Sequence, residues 1–209
     1  MTDGRLTRGE QTRRNVLDTA VALASTDGLD GMSLSRLADA LAVSKSGLFA
    51  HWPDKESLQL AVVAHAAQQW ENLIVVPALH QPRGVRRLWA LHENRLAFYT
   101  DETLPGGCFF AASDPEFDDR PGPVRDALAA AITGWLDLLK TVAEQAVELG
   151  ELAAGTDLDQ LAFEIQALGD AVVTSCRLLR ERQAIRYSRR AVLNRLRALS
   201  PTPDLLPKD

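Results

Sequence analysis

The stretch SKSGLFAHWPDKESL, residues 44–58, decides how this chain folds and what it touches. Ser44 can cap a short helix that runs to Ala50, and Pro53 forces Trp52 out of the helical region. Asp54 can cap the helix that follows. Apart from Leu48, which we expect to face the core, most side chains of the short helix are small or polar. We therefore expect this segment to lie at the surface and to contact another molecule.

Composition predicts a compact protein without extensive cationic surface. The chain has 209 residues, of which 46% are hydrophobic and 24% are charged, and its formal net charge is −5. Nucleic-acid contact must then be local. Cys108 and Cys176 are too far apart for a paired metal motif, which favours buried, reduced thiols. Since no stretch reaches membrane-spanning length, we expect a cytoplasmic protein that is neither exported nor inserted into a membrane.

Apolar residues recur at helical spacing along most of the chain, and no segment predicts a strand. The acidic connector SDPEFDDRPGP, residues 113–123, has three prolines and one glycine, which favours a loop. Pro77 is expected to end the helix that begins after Asp54. The sequence thus predicts an all-α fold with helices at about 8–27, 34–41, 44–50, 54–77, 82–99, 124–149, 157–179 and 187–199.

The two short helices, 34–41 and 44–50, match a helix-turn-helix, in which the second helix enters the major groove of DNA. Small residues in its first turn let the backbone approach the groove, and Lys45 can meet guanine edges or phosphate. Free N–H groups at both helix starts can meet phosphates. The predicted DNA contacts are Ser33, Ser44, Lys45, Ser46, Gly47, Phe49, His51 and Lys55.

Aromatic and polar residues in the C-terminal part of the chain favour a mostly apolar ligand pocket, although core packing explains each of them singly. Such a lining suits a small hydrophobic or aromatic effector. The candidate ligand contacts are Trp89, His92, Cys108, Phe110, Trp135, Phe163, Gln166 and Asp170. Apolar stripes on the last two long helices predict a dimer interface through Leu161, Ile165, Leu168, Val172, Cys176, Val192, Leu196 and Leu199.

Residues 12–62, and most specifically VSKSGLFAHWPDKESL, resemble the first four helices of the tetracycline-repressor (TetR/AcrR) family of bacterial transcription regulators. The patches GGCFF, EFDDRPGPVRDAL and LDQLAFEIQAL resemble one of its regulatory-domain subgroups. The resemblance implies a three-helix DNA-binding domain at 1–53 and a helical-bundle domain at 54–209 that binds a small-molecule effector and dimerises. It further implies a homodimeric repressor on a double-stranded, inverted-repeat operator, released when effector binding pivots the linking helix that starts near Asp54.

Two departures from the family pattern affect the DNA-binding segment. Ala42 stands where the family usually has a turn glycine, so a positive φ there would cost free energy. Phe49 and Ala50 replace two tyrosines, which removes hydroxyl contacts to phosphate.

Two other classes of protein remain open from the sequence. One is a helical ligand-binding or adaptor protein without DNA binding, and the other is a helical enzyme that uses Asp170 or His92. The chain has no P-loop, G-x-S-x-G or H-E-x-x-H motif, and its four histidines are scattered. We therefore expect no enzymatic activity, no metal and no cofactor.

Overall fold

A computed structural model describes residues 4–44, 48, 51–101 and 103–208, with only the backbone of residues 4–8. This part of the chain contains no strand, and the all-α prediction is confirmed. No helix within it is long and apolar enough to span a membrane. Its helices are α1 (Gly4–Asp27), α2 (Leu34–Leu41), α3 (Lys55–Trp70), α4 (Val76–Leu79), α5 (Val85–Thr100), α6 (Phe109–Phe117), α7 (Pro123–Glu148), α8 (Leu158–Arg177) and α9 (Gln183–Leu199).

Two helix starts follow the capping pattern of the sequence. Ser33 precedes α2, and its Oγ accepts a hydrogen bond from the Arg36 N–H at 3.1 Å. Asp157 precedes α8, and its Oδ1 accepts from the Gln160 N–H at 3.0 Å. These side chains satisfy backbone donors that the first helical turn leaves without intrahelical partners.

The expectation that Pro77 ends the fourth predicted helix is wrong. After α3, a π-helical turn (Glu71–Val75) leads directly into α4, and Pro77 lies in the first turn of α4. The hydrogen-bond pattern changes at this point, because the Val76 N–H donates to the Glu71 carbonyl five residues back, and the N–H that Pro77 lacks follows directly after this wider turn.

The connector at 113–123 is also not a loop throughout, because α6 extends to Phe117 with Pro115 inside it. Phe109, Ser113 and Phe117 are buried at four-residue spacing on one face of α6. Burial of this face stabilises a helix that the proline alone would disfavour.

The chain divides into two compact units, each built from two segments. The first comprises Met1–Gln69 and Leu104–Ala130, and the second comprises Trp70–Thr103 and Ala131–Asp209. In the first unit α6 packs against α1, and α1 packs against α2. In the second unit α5, α8 and α9 pack on one another. The predicted functional division between residues 53 and 54 remains a prediction.

Ala42 ends α2 in the left-handed conformation, with φ 52° and ψ 38°. Its N–H donates to the Asp39 carbonyl at 3.2 Å, and the Val43 N–H donates to the Ala38 carbonyl at 3.0 Å. This geometry closes the helix in the manner that glycine usually provides. The Cβ of Ala42 makes the conformation cost roughly 1 kcal/mol more than it would for glycine.

His92 lies in the core of the second unit with no exposed surface. Its Nε2 is 3.3 Å from Ser188 Oγ, which itself donates to the Leu168 carbonyl at 2.9 Å. Burial, reinforced by the charges of Arg95 and Arg189, lowers the pKa of His92 to about 3 from its ordinary 6.5. The imidazole is therefore neutral in the folded protein at neutral pH.

Acidification should destabilise the fold through His92. The unfolded chain binds a proton near pH 6.5 and the folded chain only near pH 3, so the full stability exists above pH 6.5 and declines between these values. At pH 5 the loss from this residue is about 2 kcal/mol. Urea unfolding at pH 7.5 and pH 5 should show a smaller pH-dependent loss for His92→Leu than for the wild type. His80→Leu, at an exposed site, is the control, and equal pH dependence in all three proteins would contradict this assignment.

Candidate DNA-binding and ligand sites

The start of α2 presents a polar surface in the first unit. Ser33 is exposed, and Arg36 on the next turn pairs with Asp27 while its side chain stays 59% exposed. A helix N-terminus with a hydroxyl and a nearby guanidinium is suited to bind a phosphate. Ser44 is also exposed. Lys45, Ser46, Gly47 and Phe49 lie outside the described residues, so their predicted DNA contacts remain predictions.

Trp52 connects the end of the helix-turn-helix segment to α1. Its indole is buried, and the Arg13 guanidinium carbon lies 4.9 Å from the ring centroid. Such a cation–π contact is attractive and orients the guanidinium. The neighbouring His51 is exposed, with its ring 5.6 Å from that of Trp52. His51 therefore remains accessible for the predicted phosphate contact.

Asp30, in the turn between α1 and α2, joins three parts of the first unit. Its carboxylate accepts from Lys55 Nζ at 2.7 Å and from Arg120 Nη1 at 2.6 Å. Its backbone N–H donates to Glu116 Oε2 at 2.9 Å. The hydrogen bonds from Lys55 and Arg120 hold the pKa of Asp30 below its ordinary value. Residues 116–120 thus hold the corner that leads into the helix-turn-helix.

This arrangement bears on the predicted role of Lys55. Its ammonium is held by the carboxylate and the backbone carbonyl of Asp30, at 2.7 and 2.8 Å. Two cations share this one carboxylate, and with the Glu116 carboxylate on the Asp30 N–H the four side chains carry no net charge. A phosphate can therefore compete for Lys55 only by sharing or replacing Asp30.

A second contact links the same segment to α1. The Gly106 N–H donates to Ser25 Oγ at 2.9 Å. A side chain at Gly106 would overlap the Ser25 carbonyl, so only glycine permits this approach. The link fixes the start of the 104–130 segment just as Asp30 fixes its middle.

Arg95 occupies the centre of the second unit with 1% of its side chain exposed. Its guanidinium carbon lies 5.6, 5.5 and 5.8 Å from the ring centroids of Trp70, Tyr99 and Trp135. Its Nη2 pairs with Asp170 Oδ1 at 2.5 Å. A buried charge needs this density of partners, because an unpaired one is strongly destabilising.

The remaining donors of Arg95 bind neighbouring groups on α5 and α8. Nε donates to the Tyr99 hydroxyl at 2.6 Å, and Nη1 donates to the Gln166 carbonyl at 3.2 Å. Gly169 permits this approach, because a Cβ there would overlap the guanidinium. Arg95 is therefore fixed from several sides.

Three of the predicted ligand contacts meet around Arg95. Trp135 Nε1 donates to Gln166 Oε1 at 2.8 Å, and Gln166 Nε2 donates to Asp170 Oδ2 at 2.8 Å. Trp135, Gln166 and Asp170 thus form a continuous hydrogen-bonded chain that ends on the arginine. Contact between these three residues and a ligand remains a prediction. In this structure the group that they surround is the Arg95 guanidinium, a cation.

The structure does not gather the other predicted ligand contacts at this point. Trp89 and His92 are neighbours on α5, with ring centroids 6.1 Å apart. Cys108 and Phe110 belong to the first unit, whereas Phe163 is 64% exposed on α8.

Burial within the single chain corrects five of the eight residues of the predicted dimer stripe, whereas Leu168, Cys176 and Leu199 are partly exposed and their role in a dimer remains a prediction. Five of its members, Leu161, Ile165, Val172, Val192 and Leu196, are at most 1% exposed. They are buried where α8 and α9 pack on each other and on α5, and the single chain leaves almost none of their surface for a second chain. The apolar side chains that this region exposes are Phe163, Leu178, Leu179 and Tyr187.

Sequence reasoning missed Arg95 and the Asp30 cluster. A signal existed for Arg95, since it follows Leu88 and Leu91 at helical spacing on the buried stripe of α5. A charged residue on such a stripe needs buried partners. No comparable signal marked Glu116 and Arg120, which act through contacts 86 and 90 residues away in sequence.

A capped helix closed by a left-handed residue in the first unit, and a separate helical unit, fit a helix-turn-helix regulator with its own regulatory part. Family models match both parts: "Bacterial regulatory proteins, tetR family" at residues 16–62 and "Tetracyclin repressor-like, C-terminal domain" at residues 84–192. The second covers more than half of the chain, and the chain belongs to the TetR family of bacterial regulatory proteins. It is a transcription regulator and not an enzyme.

Solved structures agree with this assignment, whereas no curated protein matches the sequence. A TetR transcriptional regulator from Chloroflexus aurantiacus J-10-FL is 25% identical over 89% of this chain and 94% of its own, with a TM-score of 0.82. A TetR-family regulator from Cytophaga hutchinsonii is 19% identical over 93% and 97%, with a TM-score of 0.81. AibR in complex with isovaleryl coenzyme A and operator DNA is 21% identical over 90% and 97%, with a TM-score of 0.67.

Gly169→Ala should test how tightly Arg95 is held. The new methyl group would displace the guanidinium from its partners, and we expect a loss of roughly 1–3 kcal/mol in the free energy of unfolding. Gly134→Ala is the matched control, because its site within α7 has no atom within 4 Å of the added Cβ. That change should stabilise the protein by up to about 1 kcal/mol. Equal effects of both substitutions in urea unfolding would refute the tight packing of Arg95 on α8.

Proposed function

We propose that this protein is a homodimeric, cytoplasmic repressor that binds an inverted-repeat operator and releases it when a small molecule binds its second unit. The observation that carries the proposal is the geometry of α2, capped by Ser33 and closed by a left-handed residue at Ala42, within the part of the chain that the tetR family model matches. AibR, which shares the fold, was crystallised with both operator DNA and isovaleryl coenzyme A. That precedent supports DNA and a small molecule as the two ligands of this chain.

Chain connectivity supports a route for the signal between the two ligands. Arg95 and Tyr99 lie in the last two turns of α5, and α5 leads through residues 101–108 into α6. The segment that follows α5 makes hydrogen bonds to this part of the first unit. Gly106 bonds to Ser25, and Glu116 and Arg120 bond to Asp30. A ligand that moved the end of α5 would therefore pull on the corner between α1 and α2. It would shift the equilibrium only by the difference in its affinity for the two conformations.

The aromatic lining of the second unit supports an effector with an apolar or aromatic body. Trp70, Phe98 and Trp135 lie in one aromatic cluster, with Trp70 ring centroids 5.8 Å from Phe98 and 5.3 Å from Trp135. Rings packed at such distances offer a large apolar area to a ligand that inserts among them.

The outer face of α8 supports the dimer. Phe163, Ala167, Ala171, Thr174 and Leu178 share one side of α8 at intervals of four, four, three and four residues, and all are exposed. Small residues between two large apolar ones allow a second helix to approach closely. Tyr187 adds an aromatic side chain from α9 that is 52% exposed. An apolar face of this kind on a single chain is typical of an oligomer interface.

DNA binding can be tested by selecting bound sequences from random DNA and footprinting the wild-type protein on them. A two-fold dimer should protect two half-sites about one helical turn, or a multiple of it, apart. Lys45→Ala should weaken specific binding by roughly 1–3 kcal/mol if Lys45 reads a base, or lower the salt slope by about one if it contacts phosphate.

Lys140→Ala removes an exposed lysine of the second unit, which pairs with Asp159, and serves as the control for loss of charge. Protection of a single asymmetric site would contradict the dimeric repressor. The absence of any sequence-specific complex at moderate salt would favour a ligand-binding protein without DNA binding.

Sedimentation can test the dimer face. Phe163→Glu and Leu178→Glu place charges on the exposed side of α8 and should each weaken the dimer by roughly 2 kcal/mol or more. Leu149→Glu is the matched control, because Leu149 is also an exposed apolar residue (55%) but follows α7. An intact dimer in both α8 variants would place the interface elsewhere.

A further inference from the structure

Arg95 is surrounded by the kind of site that proteins use to bind organic cations. The faces of three aromatic rings, from Trp70, Tyr99 and Trp135, lie within 6 Å of its guanidinium carbon. Asp170 adds a carboxylate, oriented by Gln166. We call the four residues Trp70, Tyr99, Trp135 and Asp170 the cation box.

The chemistry of the cation box discriminates among ligand classes. Ring faces carry negative electrostatic potential and attract cations, particularly where water is excluded. A carboxylate beside them repels an anion and gains nothing from a neutral apolar group. The box therefore suits a positively charged head group, and in this structure the protein supplies that group itself.

We propose that the cation box is the effector site and that the effector is an organic cation whose head group replaces the guanidinium of Arg95. This deepens the proposed function, on which its consequence for DNA rests. The exchange leaves Asp170 paired, since one cation enters as another leaves. The Asp170 side chain is 52% exposed, so the carboxylate end of the box is open to water, and the ring faces keep a cation throughout the exchange.

The exchange also changes the contacts between helices. Displaced Arg95 loses its bonds to the carbonyls of Ile165 and Gln166, which join α5 to α8. A bound cation that is not attached to α5 cannot restore that link. The end of α5 is then free to move. An effector shifts the equilibrium by stabilising this conformation over the one in which Arg95 joins α5 to α8.

The covalent attachment of Arg95 has a measurable consequence. A tethered group competes at high effective concentration, so a free head group must bind weakly to the wild type. Removing the side chain should therefore tighten binding of a small guanidinium compound.

The test uses butylguanidinium and butylurea, which have nearly the same shape but differ in charge. In Arg95→Ala, butylguanidinium should bind saturably, at least about tenfold more tightly than butylurea and tenfold more tightly than to the wild type. Binding is measured by tryptophan fluorescence and by the rise in melting temperature. Asp170→Asn in the Arg95→Ala background should abolish the preference for the cation. Arg83→Ala, which removes an exposed arginine, is the matched control and should gain no binding.

Equal affinity for the two compounds in Arg95→Ala would overturn the proposal. If Arg95→Ala does not fold alone, it is refolded in each compound and followed by circular dichroism. Recovery of helix with butylguanidinium but not butylurea supports the box, whereas recovery with neither, together with no cation preference in the wild type, overturns it.

Operator binding by the wild type is measured separately, without added cation. If the protein does not bind operator, the DNA-binding proposal is refuted, and the fluorescence test of cation binding still stands. If the wild type binds operator, saturating butylguanidinium should lower that affinity at least about fivefold. Cation binding without any change in operator affinity would overturn the assignment of the box as the effector site.

Discussion

The buried charge of Arg95 is the constraint on which the second unit depends. A guanidinium with 1% of its surface exposed cannot rely on water, so the fold must supply its partners. They come from four helices: Trp70 at the end of α3, Tyr99 on α5, Trp135 on α7, and Asp170 with two backbone carbonyls on α8. Asp170 itself is 52% exposed, so water screens part of this ion pair, and the aromatic and carbonyl contacts supply the remaining partners. The positions of α5, α7 and α8 are therefore tied to one side chain.

The first unit uses charge differently. Asp30 binds Lys55 and Arg120 at the surface, with 40% of its side chain exposed. Water and salt screen these pairs, so each contributes little alone. Their value lies in geometry, because they bring residues from three separate parts of the sequence to one turn. An exposed cluster can exchange partners at small cost, whereas the interior network around Arg95 resists exchange unless another cation enters.

Sequence periodicity predicted most helices because each buries an apolar face that repeats every three to four residues. Local sequence also predicted the cap at Asp54, whose Oδ1 accepts from the Ser57 N–H at 2.7 Å, and the family resemblance pointed to the turn at Ala42, where φ is positive. It was wrong where distant contacts decided the outcome. Phe109 and Phe117 keep α6 helical around Pro115 by being buried, and that burial is invisible in the local sequence.

The same limit explains the candidate sites. Trp135, Gln166 and Asp170 were selected as polar or aromatic residues near apolar stripes, and the structure brings these three together. Their shared partner, Arg95, lies 70 to 75 residues in sequence from the groups on α8 that it bonds. Leu161 and Val192 were assigned to a dimer because their stripes looked larger than one core requires. These apolar stripes are instead buried within the single chain, because α5 packs against both α8 and α9.

The first unit is discontinuous in sequence, and this limits how the protein can be divided. Its N-terminal helices are completed by residues 104–130, which supply the Gly106 contact to Ser25 and the two contacts to Asp30. A fragment that stops after α3 would expose the face of α1 that α6 covers. Exchange of DNA-binding modules between relatives therefore requires residues 104–130 to travel with the N-terminal helices. Mutations in that segment can thus alter DNA recognition without lying in the DNA-binding sequence.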